Sequence, residues 1–122
     1  MLDSSLTRTP GQFTRILIHE LFHFVWLRLG NRARGEYEAL IRRELERQVR
    51  GESGWSAEWR KDALGASPRR WREYVCESFC DTAAYLYSGS RSAEMTLPVA
   101  VRKSRRSWFA SLVDARGGVL RV

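Results

Sequence analysis

Residues 16–29 read Ile16-Leu17-Ile18-His19-Glu20-Leu21-Phe22-His23-Phe24-Val25-Trp26-Leu27-Arg28-Leu29, and this stretch decides the fold class. Its apolar residues fall nearly all round a helix of 3.6-residue period, the pattern of a helix buried in a protein core. The helix is expected to begin at Pro10, with Thr9 as its cap, and to run to Leu29 before Gly30-Asn31 stops it. His19, Glu20 and His23 interrupt the run, so it falls short of the roughly 18 to 20 apolar residues of a membrane span.

Four more helices read outward from it. One spans about Gly35 to Arg50, where Tyr37, Leu40, Ile41, Leu45 and Val49 make an apolar stripe. A short one spans Ala57 to Leu64, capped by Ser56, with Trp59 turned inward. Ser67 and Pro68 open a fourth, which runs to Tyr87 and stops at Ser88-Gly89. A fifth runs from Pro98 to Asp114 or Ala115 and ends at Gly117-Gly118. Period-2 alternation is confined to weak candidates at Met95–Val99 and Gly118–Val122. The expected fold is mainly α, about five helices with at most a small residual β element, in one domain over residues 1–122.

The net charge is +7, from nineteen arginines and two lysines against fourteen acids. The arginines are spread over every segment, and several stand beside glutamates at helical spacing, as Glu38 does with Arg42 and Glu46 with Arg50. Solvated helix faces account for that pattern; nucleic-acid binding would need a concentrated basic stripe or an aromatic platform, and neither is present. Residues 1–10 hold no basic segment followed by an apolar one, so a cytoplasmic chain is expected. Cys76 and Cys80, four apart on one helix face, read as buried free thiols, because a disulfide between them would distort the helix.

The chemistry is in residues 19–23, His-Glu-Leu-Phe-His, the pattern H-E-x-x-H. Residues four apart on a helix share a face, so His19 and His23 can offer ring nitrogens to one ion. Glu20 stands at the edge of that face, placed to take a proton from a zinc-bound water. Both histidines of the chain fall in this motif. An unpaired carboxylate buried among Leu17, Leu21 and Phe24 would cost roughly several kcal/mol unless a metal or charge offset it.

A catalytic zinc takes a third protein ligand and leaves its fourth position to water. No third histidine exists, so that ligand is a carboxylate, a cysteine or a tyrosine. Glu77 is the leading candidate, with Asp81 one turn on placed to accept the other ring N–H of a ligating histidine. Glu73 is the first substitute, followed by Asp81 itself or Cys80; salt bridges to Arg70, Arg72 or Arg106 are the structural alternative for Glu77.

With H-E-x-x-H at residues 19–23 and E-x-x-x-D at 77–81 on a later helix, the chain resembles the gluzincin, or thermolysin-like, zinc metallopeptidases. The resemblance covers His19, Glu20, His23, Glu77 and Asp81 and the helix order. It implies a minimal zincin-like core, a Zn2+ cofactor, a peptide or protein substrate, and Glu20 as base. Two family features depart from the pattern: the edge strand upstream of the active-site helix is expected to be missing or very short, and there is no downstream histidine to stabilise the oxyanion. Tyr85 and Tyr74 are the candidates for the latter role, with Tyr37 and Tyr87 behind them, although each is more often a packing aromatic. Trp55, Trp59 and Trp71 read as core or cleft wall. The competing reading is a zinc-stabilised binding or regulatory module without catalysis, contacting nucleic acid through its basic faces.

Overall fold

The computed structural model describes residues 10–89 and 93–122. It is mainly helical: α1 (Pro10–Arg28), α2 (Asn31–Glu46), α3 (Trp55–Asp62), α4 (Pro68–Tyr87) and α5 (Val99–Ala115). Among the described residues there is no β-strand, so Met95–Val99 and Gly118–Val122 are loop, with Val99 already the first residue of α5. No helix of the described residues is long and apolar enough to cross a membrane.

The α4 helix is the axis of the molecule. Ser67 caps it by accepting a hydrogen bond from the Arg70 N–H, and Pro68 fits its first turn. Tyr74, Val75 and all residues from Glu77 to Ala84 are buried, and α1, α2, α3 and α5 all pack on it. Phe79 is the hub, its ring 4.9–6.1 Å from those of Trp26, Tyr37, Phe22, Trp108 and Phe109. A buried aromatic cluster of this kind supplies much of the stability of a helical domain this small.

Several expected boundaries and orientations are corrected. The α2 helix starts at Asn31 rather than Gly35, because Gly30 at φ +83° turns the chain directly from α1 into α2. Ala33 thereby joins Tyr37, Leu40 and Ile41 on the buried face, while the helix ends at Glu46 and Val49 sits in the following loop. Arg34 then bonds the Trp26 and Leu27 carbonyls, satisfying the open end of α1. The α3 helix starts at Trp55 with Gly54 at the cap position, so Ser56 lies inside the helix. Trp59, expected to point inward, is exposed, as is Trp55; Trp71 is half-buried and donates to Glu38. Thr9 lies outside the described residues.

A further correction bears on the site. Only one side of α1 meets α4; within α1, Val25 and Arg15 are buried, whereas Phe13, Leu17, Leu21, Phe24 and Leu27 are exposed. Glu20 belongs to the exposed side. The cost of burying its charge, which the apolar run suggested, is therefore not incurred. All-round apolarity told of hydrophobic surface and said nothing of what covers it.

One buried polar cluster fixes the loop before α3. Arg105, on α5 and 1% exposed, makes paired hydrogen bonds to Glu44 (2.6 and 3.0 Å) and to Glu52 (2.6 and 3.0 Å). Tyr74 donates to Glu52 at 2.6 Å, and Ser53 Oγ meets Thr82 at 2.8 Å. Burial alone would raise the Glu52 carboxyl, but Arg105 and the Tyr74 hydroxyl hold it down at about 2. These bonds, with the Thr96 N–H to Glu52 O bond at 2.8 Å, anchor residues 52–53 just ahead of α3.

A candidate metal centre between three helices

His19 and His23, one turn apart on α1, both turn toward α4. Their Nε2 atoms are 3.3 Å apart. Glu77 on α4 meets both, with Oε1 3.3 Å from His19 Nε2 and Oε2 3.0 Å from His23 Nε2. Donor atoms held by one tetrahedral zinc at about 2.0–2.1 Å are separated by about 3.3 Å. The two ring nitrogens stand at that spacing, and each has a different oxygen of the Glu77 carboxylate at 3.0–3.3 Å.

Asp81, one turn after Glu77, supports His19 from behind. Its Oδ1 is 2.7 Å from His19 Nδ1, and its Oδ2 accepts the Ala57 N–H at 2.8 Å. An ionised carboxylate can only accept, so Nδ1 carries a proton, and a metal ion that displaces the second proton from Nε2 would meet that nitrogen's lone pair. Asp81 is 2% exposed and Glu77 9%, both ends of the pair being covered by α3. Glycine is required at position 54 for this approach: a Cβ there would stand 2.6 Å from the Asp81 carboxylate and from an Arg15 nitrogen. Position 54 has extended backbone, so the requirement is one of space and not of φ.

The start of α3 completes the arrangement. The Trp55 N–H donates to Glu94 at 3.0 Å, the Ser56 hydroxyl donates to Glu77, and the Ala57 N–H donates to Asp81. Acids supplied by α4 and by the loop at Glu94 thus satisfy donors that the first turn of α3 leaves open.

Electrostatics follow from this packing. Burial pulls the His19 pKa down, but the hydrogen bonds and charges of Asp81 and Glu77 raise it to about 10. Burial raises Glu77, and the hydrogen bonds from His19 and Ser56 with the His23 charge bring it down to about 2. Two carboxylates thus face a pair of imidazoles and favour positive charge between them, whether a proton or a metal ion.

The cleft above these residues encloses about 470 Å³ and is lined by Glu20, Ile16, Arg15, Ser56, Arg60 and Glu94 beside the donors themselves. Glu20 makes no ion pair with a described residue. A wider groove of about 780 Å³ between α2 and α5 contains no histidine.

Five sequence-assigned residues, His19, Glu20, His23, Glu77 and Asp81, are therefore brought to one cleft. Others are not. Glu73 is exposed and pairs with Arg69 at 3.6 Å, which removes it as a ligand. Glu77 pairs with none of Arg70, Arg72 or Arg106; its cation is Arg60, at 3.7 Å. Tyr74 is fully buried and spends its hydroxyl on Glu52, so it cannot stabilise an oxyanion in the cleft. Tyr85 is half-buried and does not line the cleft. Tyr37 bonds Ser78 at 2.8 Å in the core, and Tyr87 stacks on Phe22 at 5.7 Å.

The thiols are free, as expected; Cys80 is buried and Cys76 half-buried. Cys76 Sγ lies 3.6 Å from His23 Nδ1, and with Cys80 these atoms form a second, softer donor group. The hydrogen bond between the two thiols lowers Cys76 and, with burial, pushes Cys80 well up, so the pair favours one thiolate and disfavours the two that this donor group would need. The nitrogen and oxygen set is the better one.

Gly54, Ser56, Arg60 and Glu94 were not legible beforehand. Ser56 reads from the sequence as a helix cap, and nothing local marks the other three. Comparison with protein-family models, with curated proteins and with solved structures gives no match for this chain.

Proposed function

We propose that this protein is a zinc-dependent metallopeptidase, of a minimal kind resembling the gluzincins. The observation that carries the reading is the convergence of His19 Nε2, His23 Nε2 and the Glu77 carboxylate at 3.0–3.3 Å beside an open cleft lined by Glu20. Two imidazoles and one carboxylate are the donor set of a catalytic site that leaves a coordination position open, whereas structural zinc is enclosed by four protein ligands.

Zinc held there would polarise a substrate carbonyl and make a water molecule acidic near neutral pH. The chain's own residues supply the rest. Asp81 keeps His19 in one tautomer and orientation. Ser56 and Arg60 keep the Glu77 carboxylate turned toward the histidines. Glu20 takes a proton from the attacking water as its oxygen bonds to the carbonyl carbon and the C–O π pair moves onto oxygen. The same carboxyl then gives that proton to the amide nitrogen as the C–N bond breaks, so the proton count closes.

The test is Glu20→Gln. The variant is expected to hold zinc as the parent does and to lose chelator-sensitive cleavage of casein. Cleavage unchanged in Glu20→Gln, or no chelator-sensitive cleavage by the parent, would favour the non-catalytic zinc-binding module instead.

A further inference from the structure

Water attack on an amide puts negative charge on the former carbonyl oxygen, and a donor beside that oxygen is worth roughly 100- to 1,000-fold in rate. No tyrosine lines the cleft, so the donor must be sought elsewhere. Among the described residues, the cleft-lining cations outside the histidine pair are Arg15 and Arg60. Arg15 is committed to structure: it is 8% exposed, holds Glu94 at 3.0 Å, and donates to the Ser53 carbonyl at 3.3 Å.

Arg60 is placed differently. Its side chain is 26% exposed, and Nη1 stands 3.7 Å from Glu77 Oε1, the atom that also faces His19 Nε2. Nη1 is fixed by the Ser56 carbonyl at 3.0 Å and the Ser56 hydroxyl at 2.9 Å, while the guanidinium lies 4.3 Å over the Trp59 ring. These bonds with described residues use Nη1 alone, so on a residue that lines the cleft Nε and Nη2 have N–H groups without a partner among the described residues. A guanidinium stacked on an aromatic ring and bonded at one corner is held in orientation before substrate arrives, which is the condition for strong transition-state stabilisation. The exposed Trp59, a poor solvent-facing residue otherwise, gains a role as the plate on which Arg60 rests.

We propose that Arg60 is the oxyanion-stabilising catalytic residue of this site, in place of a tyrosine or third histidine. The inference rests on the peptidase reading above. As the carbonyl π pair moves to oxygen, the Arg60 N–H groups donate to that oxygen; as the C–N bond breaks and the carboxylate forms, they release it with the product.

The test compares zinc-loaded parent, Arg60→Ala and Arg60→Lys full-length chains on casein and on fluorogenic peptides, with zinc content measured on each. Arg60→Ala is expected to keep its zinc and its KM within about threefold while kcat falls roughly 100-fold or more. Arg60→Lys should recover part of kcat, and millimolar methylguanidinium should restore Arg60→Ala but not Arg60→Lys. A kcat within about threefold of the parent in Arg60→Ala overturns the proposal. So does loss of zinc from Arg60→Ala, which would make Arg60 a support for Glu77 only. Should the parent itself cleave no peptide, the peptidase reading fails, and binding of phenylphosphonate to the zinc-loaded chains decides Arg60 alone. Its Kd is then expected to rise about tenfold or more in Arg60→Ala, and an unchanged Kd overturns the assignment.

Discussion

Replacing Arg105 by methionine should destabilise the fold in a way that acid partly repairs. Arg105 is 1% exposed and neutralises two carboxylates, Glu44 at 7% and Glu52 at 0% exposure. Methionine fills similar space but leaves both acids without their cation. The Glu52 carboxyl, held at about 2 against 4.5 when unfolded, contributes about 3 kcal/mol at neutral pH through proton linkage. Removing one partner from a buried ion pair typically costs about 3–5 kcal/mol, so the two figures agree. A domain with roughly 5–15 kcal/mol in hand would lose a large part of it.

The sign of the pH dependence discriminates. In the parent, the folded Glu52 pKa lies below the unfolded value, so its contribution is present above about pH 4.5 and lost as pH falls toward 2. In Arg105→Met the burial that raises the Glu52 carboxyl is no longer opposed by Arg105, so protonation of Glu52 is expected to relieve the variant as pH falls from 7 to 5. The gap between parent and variant should therefore be widest near pH 7 and narrow toward pH 5. Urea unfolding of both proteins, followed by tryptophan fluorescence at pH 5, 6 and 7, measures it. A gap below about 1 kcal/mol at pH 7, or one constant across that range, would refute the electrostatic reasoning.

Further outcomes concern the metal centre. In the metal-free protein His19 keeps its proton up to about pH 10, so zinc uptake at pH 7.5 should release about one proton. Zinc affinity should then weaken as pH is lowered; calorimetry in buffers of different ionisation enthalpy counts the protons, and a count of zero would refute the coupling. By the same raised pKa, the stabilisation His19 gives the metal-free fold is complete below about pH 6.5 and lost as pH rises through about 10. Asp81→Asn removes the charge that orients His19 and should weaken zinc binding about 10- to 100-fold in a chelator competition; an unchanged affinity would show that Asp81 serves α3 alone.

What could be read from the sequence was what lies within one helix. His19 and His23 share a face at i, i+4, Glu77 and Asp81 do likewise, and Ser67-Pro68 marks the start of α4; each is a local pattern, and the structure keeps it. That α1 and α4 pack together with those faces opposed is the step that no single segment encodes. The contacts that were not legible join distant parts of the chain. Arg105 reaches Glu44 and Glu52 across 61 and 53 residues, and Arg15 reaches Glu94 across 79. Arg60 and Ser56 matter only because α3 lies over Glu77, and the sequence around them reads as an ordinary polar helix. The exposed side of α1 has a related cause: periodicity shows which residues are apolar, not which neighbour is present.

The most direct test of the metal centre is elemental analysis of the purified chain beside Glu77→Ala, Glu73→Ala and a Cys76→Ser, Cys80→Ser double variant. The expected result is about one zinc per parent chain, lost with Glu77→Ala and kept with both other variants, as tetrahedral His₂Glu coordination requires. Zinc retained in Glu77→Ala, or lost with the two cysteines, would contradict the assignment of His19, His23 and Glu77 as the metal-binding set.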